Sequence, residues 1–171
     1  MKKMEDERSP PLQEQNPWEH VSPDGQNLQV EDFITVLFSH VSNELRRKVT
    51  VPYATRHGLT VPEWRILCLI GQARSLPFTE LVVQSTSDKA LVSRTLKTLV
   101  ERGLVRTETV GANWRQGVIC HTTPAGQRMY KKVMPEARRA QAQMILALDP
   151  EERRVMHRAL LRLSALCAAP D

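Results

Sequence analysis

The segment from Phe78 to Thr123 constrains the fold of this chain more than any other. It opens with a short apolar-periodic run, Phe78-Thr79-Glu80-Leu81-Val82, followed by a polar turn, Gln84-Ser85-Thr86-Ser87-Asp88. A second run from Lys89 to Val100 places Val92, Leu96, Leu99 and Val100 on one stripe, with Ser87 or Asp88 as its N-cap and Gly103 as a left-handed C-cap. Two β-like runs, 104–110 and 118–122, then flank a Gly-Ala-Asn turn. A short helix, a tight turn, a second helix with a polar and basic outer face, and a hairpin together describe a winged helix-turn-helix. The partner that such an arrangement fits is double-stranded DNA.

The second helix carries the residue types that reading a duplex requires. Lys89, Ala90, Ser93, Arg94 and Lys97 fall opposite the apolar stripe, and their i, i+4 spacing makes them project together. Small Ala90 and Ser93 let the backbone approach base edges, and Arg94 is suited to a bidentate contact with guanine. Thr86, Ser87 and Lys97 are placed for phosphates, and Leu91 for a thymine methyl. A solvated charged face would look the same in isolation. What separates the two readings is context, because the helix before it, the polar turn and the hairpin after it all belong to one architecture.

The rest of the chain supplies helices. Residues 1–27 combine Pro10, Pro11, Pro17 and Pro23 with polar residues and lack apolar periodicity, so they are expected to form a flexible tail. They hold three basic and six acidic groups of the chain's 24 and 19, which leaves 21 basic against 13 acidic in the remainder. A basic body suits a polyanion. Val30, Phe33, Leu37, Val41, Leu45 and Val49 predict an amphipathic helix that Pro52 should end or kink. Thr60-Val61-Pro62-Glu63 reads as a capping box opening a helix that runs to Gly71. Beyond Thr123, Met129, Val133, Ala137, Met144 and Ile145 mark a long helix with a kink expected at Pro135. Asp149-Pro150-Glu151-Glu152 opens a last helix bearing Met156, Leu160, Leu163 and Cys167.

The expected fold class is therefore mainly α with a small β-hairpin. Its parts are a tail over 1–27, a helix over 28–58, a winged helix-turn-helix lobe over 59–123 and C-terminal helices over 124–167. No run of about 18 apolar residues offers a membrane span, and the N-terminus lacks a signal-peptide core, so a cytoplasmic location is expected. Cys68, Cys120 and Cys167 are scattered without metal-ligand spacing, so neither a zinc site nor a disulfide framework is indicated. No phosphate loop, nucleophile elbow or metalloprotease motif is present, and Cys120 and His121, adjacent on a strand, point to opposite faces. Neither enzyme activity nor a cofactor is expected.

Several short motifs recur in a known order. Gly58-Leu59-Thr60, Glu80-Leu81-Val82, Leu91-Val92-Ser93-Arg94, Arg102-Gly103-Leu104-Val105 and Thr122-Thr123-Pro124-Ala125-Gly126, followed by the acidic start of the last helix, resemble the MarR family of bacterial transcriptional regulators over roughly residues 28–167. The wing tip departs. The family's Asp-Arg-Arg falls on Asn113-Trp114-Arg115 or on Trp114-Arg115-Gln116, depending on the end from which it is counted. The acidic residue is missing either way, and Arg115 inherits the minor-groove role that the resemblance implies. The resemblance also implies a homodimer, built by the helices of 28–58 and 124–167, on a pseudo-palindromic operator. It implies repression relieved by a small aromatic carboxylate, held where His40, Arg46, His57, Trp64 and Arg65 gather around an apolar crevice. The alternatives are a redox-responsive regulator of the same family and a sequence-tolerant architectural DNA-binding protein.

Overall fold

The structure is a computed structural model that describes residues 16–110 and 117–169. Its contacts fall into two units, Met1–Glu44 and Leu45–Asp171. In the first, a 3₁₀ turn at Val30–Asp32 leads into helix α1, Ile34–Leu45, whose final residue opens the second unit. Trp18 is tied locally, its indole N–H donating to Asp32 O at 2.8 Å. No residue of α1 is buried, and Phe33, Leu37, Phe38 and Val41 stand exposed.

Pro52 neither ends the helical path nor breaks it. Its ring crowds the carbonyl four residues back and it lacks an N–H. The backbone answers with a π turn over Arg46–Thr50, in which Val51 N–H donates to Arg46 O five residues back. Helix α2, Val51–Arg56, then carries Pro52 in its first turn, where no N–H is needed. Gly58, at φ +66, turns the chain toward α3, Val61–Ala73. The predicted capping box is present: Glu63 N–H donates to Thr60 Oγ1, and Thr60 N–H donates to Glu63 Oε2 at 2.7 Å.

After α3 come β1 (Ser75–Pro77), α4 (Phe78–Ser85), α5 (Lys89–Glu101), β2 (Val105–Thr109), β3 (Val118–Thr122), α6 (Pro124–Leu146) and α7 (Pro150–Ala168). The hairpin expectation needs enlarging: β1 joins β3 antiparallel, giving a three-stranded sheet of order β1-β3-β2. A three-residue strand ending in proline carries no alternation from which a sequence reading could find it. Its one inward residue, Leu76, is buried opposite Cys120. The long helix α6 continues through Pro135 to Leu146.

The core gathers around α3. Leu67 and Ile70 are completely buried, each worth about 1.5–3 kcal/mol of apolar burial. One flank of α3 meets α6, where the rings of Trp64 and Tyr130 stack at 6.4 Å. Gly71 leaves room there, since a Cβ would lie 2.7 Å from the Tyr130 ring. The opposite flank, Pro62, Arg65 and Ile66, faces Leu91, Val92 and Thr95 of α5. In α5 the buried stripe is Val92, Thr95, Leu96 and Leu99, while Val100, expected in it, is 38% exposed. Residue 95 lies three beyond 92 and four before 99, so Thr95 completes the i, i+3, i+4, i+7 face and Val100 falls on its rim.

Candidate nucleic-acid interface

Helix α5 presents the expected face. Lys89, Ala90, Ser93, Arg94 and Lys97 are all exposed, opposite its buried stripe. Arg94 makes no ion pair among the described residues, so its guanidinium is available. Lys97 lies 3.9 Å from Glu101 one turn on, with both side chains mostly exposed. That contact is weak enough to yield to a phosphate. Leu91 is half-buried at the edge of this face.

Both ends of α5 are fixed. At the start, Asp88 accepts from Leu91 N–H at 2.7 Å, satisfying one orphan amide. At the end, Gly103 at φ +66 turns the chain and its N–H donates to Val100 O. Arg102 donates from Nη1 to Glu63 Oε1 at 2.6 Å and from Nη2 to Gly58 O at 3.0 Å. This clamp joins the last turn of α5 to the first turn of α3. Burial pushes the Glu63 carboxyl up, but the Thr60 amide and the Arg102 guanidinium outweigh it and hold the group below its usual range. The Thr60–Glu63 box is legible in the sequence, whereas Arg102 becomes its third member only in the fold. The only signal was a cation in the Arg102-Gly103-Leu104-Val105 motif.

The turn before α5 is built around one carbonyl. Ser85 is buried, and its backbone oxygen accepts from Thr86 Oγ1 at 2.7 Å, Ser87 Oγ at 3.2 Å and Arg65 Nη1 at 3.3 Å. Thr86 holds φ +52, a left-handed conformation that a β-branched residue rarely adopts. The hydroxyl protons of Thr86 and Ser87 are therefore engaged within the turn and do not point outward to phosphates. Arg115 and the rest of the wing tip lie outside the described residues.

The residues expected around a ligand do not converge on one point. Two clefts lie against α3. The first, about 170 Å³, is lined by Arg46, Arg65 and Ser87 with Val61, Pro62, Ile66, Leu91, Val92 and Thr95. The second, about 290 Å³, is lined by Tyr53, Trp64, Arg65 and Cys68 among others. Arg65 and Val61 border both. Trp64 is buried and donates from its indole N–H to Tyr53 Oη at 3.1 Å. His57 lines neither cleft; its Nε2 is 3.2 Å from Glu136 Oε1 on α6. His40 is exposed on α1. Burial pushes the Cys120 thiol up to about 11 and also raises Cys68, against the opposing charge of Arg138. Neither thiol favours the reactive thiolate near neutral pH. Among the described residues no group of three His, Cys, Asp or Glu could hold a metal ion, and no helix is long and apolar enough to cross a membrane.

Residues 59–109 match the sequence model of the MarR family. No protein of curated function matches the chain. Solved structures similar to it include a MarR family transcriptional regulator from Silicibacter pomeroyi DSS-3, 21% identical with TM-score 0.69 over 81% of this chain and 98% of that one. NadR in complex with 4-hydroxyphenylacetate is 20% identical, with TM-score 0.65 over 80% of this chain and 95% of its own. BpsR of Bordetella bronchiseptica, whose DNA binding is regulated by 6-hydroxynicotinic acid, is 23% identical, with TM-score 0.58 over 73% and 98%. At these identities the likeness establishes the winged-helix fold.

Proposed function

We propose that this chain, whose residues 59–109 match the sequence model of the MarR family, is a transcriptional regulator of that family and acts as a homodimeric repressor. It binds a pseudo-palindromic operator in duplex DNA and is released by a small aromatic carboxylate. The observation that carries the reading is the outer face of α5, where the exposed set from Lys89 to Lys97 sits on a helix fixed at both ends. Small Ala90 and Ser93 admit the helix to the major groove, Arg94 reads a base edge, and Lys89 and Lys97 meet the backbone. Arg115 is assigned the minor groove beside it. Two copies present two such helices to half-sites about one helical turn apart.

The ligand reading rests on the clefts beside α3. An aromatic acid in the first would place its ring among Val61, Pro62, Ile66 and Leu91 and its carboxylate between Arg46 and Arg65. Drawing Arg65 to a carboxylate removes its hydrogen bond to Ser85 O and loosens the turn that aims α5. The ligand thus favours an arrangement that no longer fits the operator. Two proteins of similar fold, NadR and BpsR, are associated with 4-hydroxyphenylacetate and 6-hydroxynicotinic acid.

The test is selection of bound duplexes from randomised DNA at near-physiological salt. Enrichment of a two-fold symmetric site is the expected outcome, and that site becomes the probe for release by those two acids. Salt-sensitive binding without enrichment would instead indicate a sequence-tolerant architectural protein.

A further inference from the structure

Helix α6 bears a second concentration of positive charge, on the side of the lobe opposite α5. Arg128, Lys131, Lys132, Arg138 and Arg139 are all exposed. They lie opposite Gly126, Val133 and Ala137, the buried face of the same helix. Arg128, Lys132 and Arg139 fall at i, i+4 and i+11 on one line, with Lys131 and Arg138 beside it. Four basic side chains elsewhere in the lobe find acids: Arg56 with Glu136, Lys97 with Glu101, Arg102 with Glu63 and Arg106 with Glu108. None of the five on α6 has an ion pair among the described residues. The one acid in this stretch, Glu136, lies to the side and is engaged by Arg56 and His57. Arg128 stands one turn from both Lys131 and Lys132, an arrangement of like charges that costs the helix repulsion.

The direction of the stripe follows from α3. Trp64 and Gly71 on one flank of α3 pack on Tyr130 of α6, and Pro62 and Ile66 on the other flank face α5. Each outer helix turns its buried stripe inward, so their exposed faces point away from each other. One straight duplex seated on α5 cannot also lie along α6.

We propose that the α6 stripe is a second, sequence-independent surface for the phosphate backbone of duplex DNA. It would engage a separate segment while α5 holds the operator. From Arg128 to Arg139 the helix rises about 17 Å, and duplex DNA carries one charge per about 1.7 Å of axis. The stripe thus faces a dense row of phosphates without needing any base. Its consequence is bridging of two DNA segments, or wrapping of one around the lobe.

The test uses full-length protein and a random-sequence duplex several turns long. In an Arg94→Ala/Lys97→Ala background, which cripples the recognition helix, salt-sensitive binding to this duplex should remain. Adding Arg128→Gln, Lys132→Gln and Arg139→Gln should weaken it at least about tenfold and reduce the salt slope by about 2–3 units. The charge-keeping set Arg128→Lys, Lys132→Arg and Arg139→Lys should restore binding, which excludes a folding defect. On otherwise wild-type protein, the glutamine set should leave affinity for a duplex just spanning two half-sites within about twofold, since α5 alone engages it. Unchanged residual binding in the glutamine set would overturn the proposal. So would an equal loss on the short duplex, because the stripe would then belong to the operator surface. Failure of wild type to select any site would count against the operator reading alone.

Discussion

At the scale of single residues, the interface separates into groups that read and groups that hold. Arg94 reads. Exposed, without an ion pair among the described residues, and on the same face as small Ala90 and Ser93, it should discriminate one base pair. Arg94→Ala should cost about 1–3 kcal/mol on the selected operator and relax preference at one position. Lys97→Ala should weaken all duplexes alike and lower the salt slope by about one unit. Binding titrations on the operator and on a single-position library, at several salt concentrations, separate the two effects. Glu63 holds. Its carboxyl lies below the usual range in the fold because the Thr60 amide and Arg102 outweigh the effect of burial. A group depressed in this way contributes stability above its unfolded pKa, and that contribution is lost as pH falls through its folded pKa. Wild type should therefore lose this increment below about pH 4.3. Glu63→Gln should be less stable near neutrality by about 1.5–2 kcal/mol, the low end for a charged hydrogen bond because Arg102 is partly exposed. Its stability should also fall less steeply in acid, as followed by denaturant melts across pH.

Elements were legible in the sequence where local chemistry decides them and hidden where packing does. The capping boxes at Thr60 and Asp149, the Asp88 cap and the left-handed Gly103 were readable because each depends on a few adjacent residues. Strand β1 was not, since Leu76 becomes a strand residue only by pairing with Cys120, far along the chain. The π turn before Pro52 was equally hidden, because a proline signals an interruption but not whether the helix will widen to absorb it. In the candidate site, the exposed face of α5 followed from helical periodicity. The Ser85 carbonyl with its three donors, and the clasp of Arg102 on α3, exist only after folding. Gly126 shows how tight such junctions are. It stands in the first turn of α6, whose cap Thr123 also donates to Gly103 O, and a Cβ there would fall 1.9 Å from Leu104 O. Backbone cannot yield as a side-chain tip can, so Gly126→Ala must shift α6 against the entry to β2. The expected cost is at least about 1–3 kcal/mol, measured by denaturant melts. Gly58→Ala provides a contrast, since nothing lies within 4 Å of its added Cβ and only the strain of φ +66 opposes it.

On the scale of the whole molecule, the chain has more apolar surface than one copy buries. Helix α7 contains no buried residue, and Val155, Met156, Leu160, Leu161 and Leu166 are each at least 40% exposed. Met144, Ile145 and Leu146 at the end of α6 are exposed too, as are Leu37, Phe38 and Val41 of α1. A helix of 19 residues draws little stability from propensity alone and needs a packed apolar face. Exposed apolar surface of this kind on α6 and α7 is suited to an interface. The proposed homodimer would cover this surface with a second copy of the same chain, and an isologous dimer would carry its symmetry onto the DNA. Met156→Glu with Leu160→Glu places two charges on the exposed side of α7 and leaves the core of the winged lobe untouched. The variant should sediment as a monomer where wild type sediments as a dimer, and its Tm should no longer rise with protein concentration. Its operator affinity should drop by about 10²-fold or more, because each half-site must then be bound without the effective concentration that linkage supplies. Binding to one isolated half-site should persist, since α5 and its anchors at Asp88 and Arg102 lie elsewhere in the fold. A variant that remained dimeric would move the interface off α7. One that became monomeric yet held the full operator as tightly as wild type would show that each winged lobe recognises DNA without its twin.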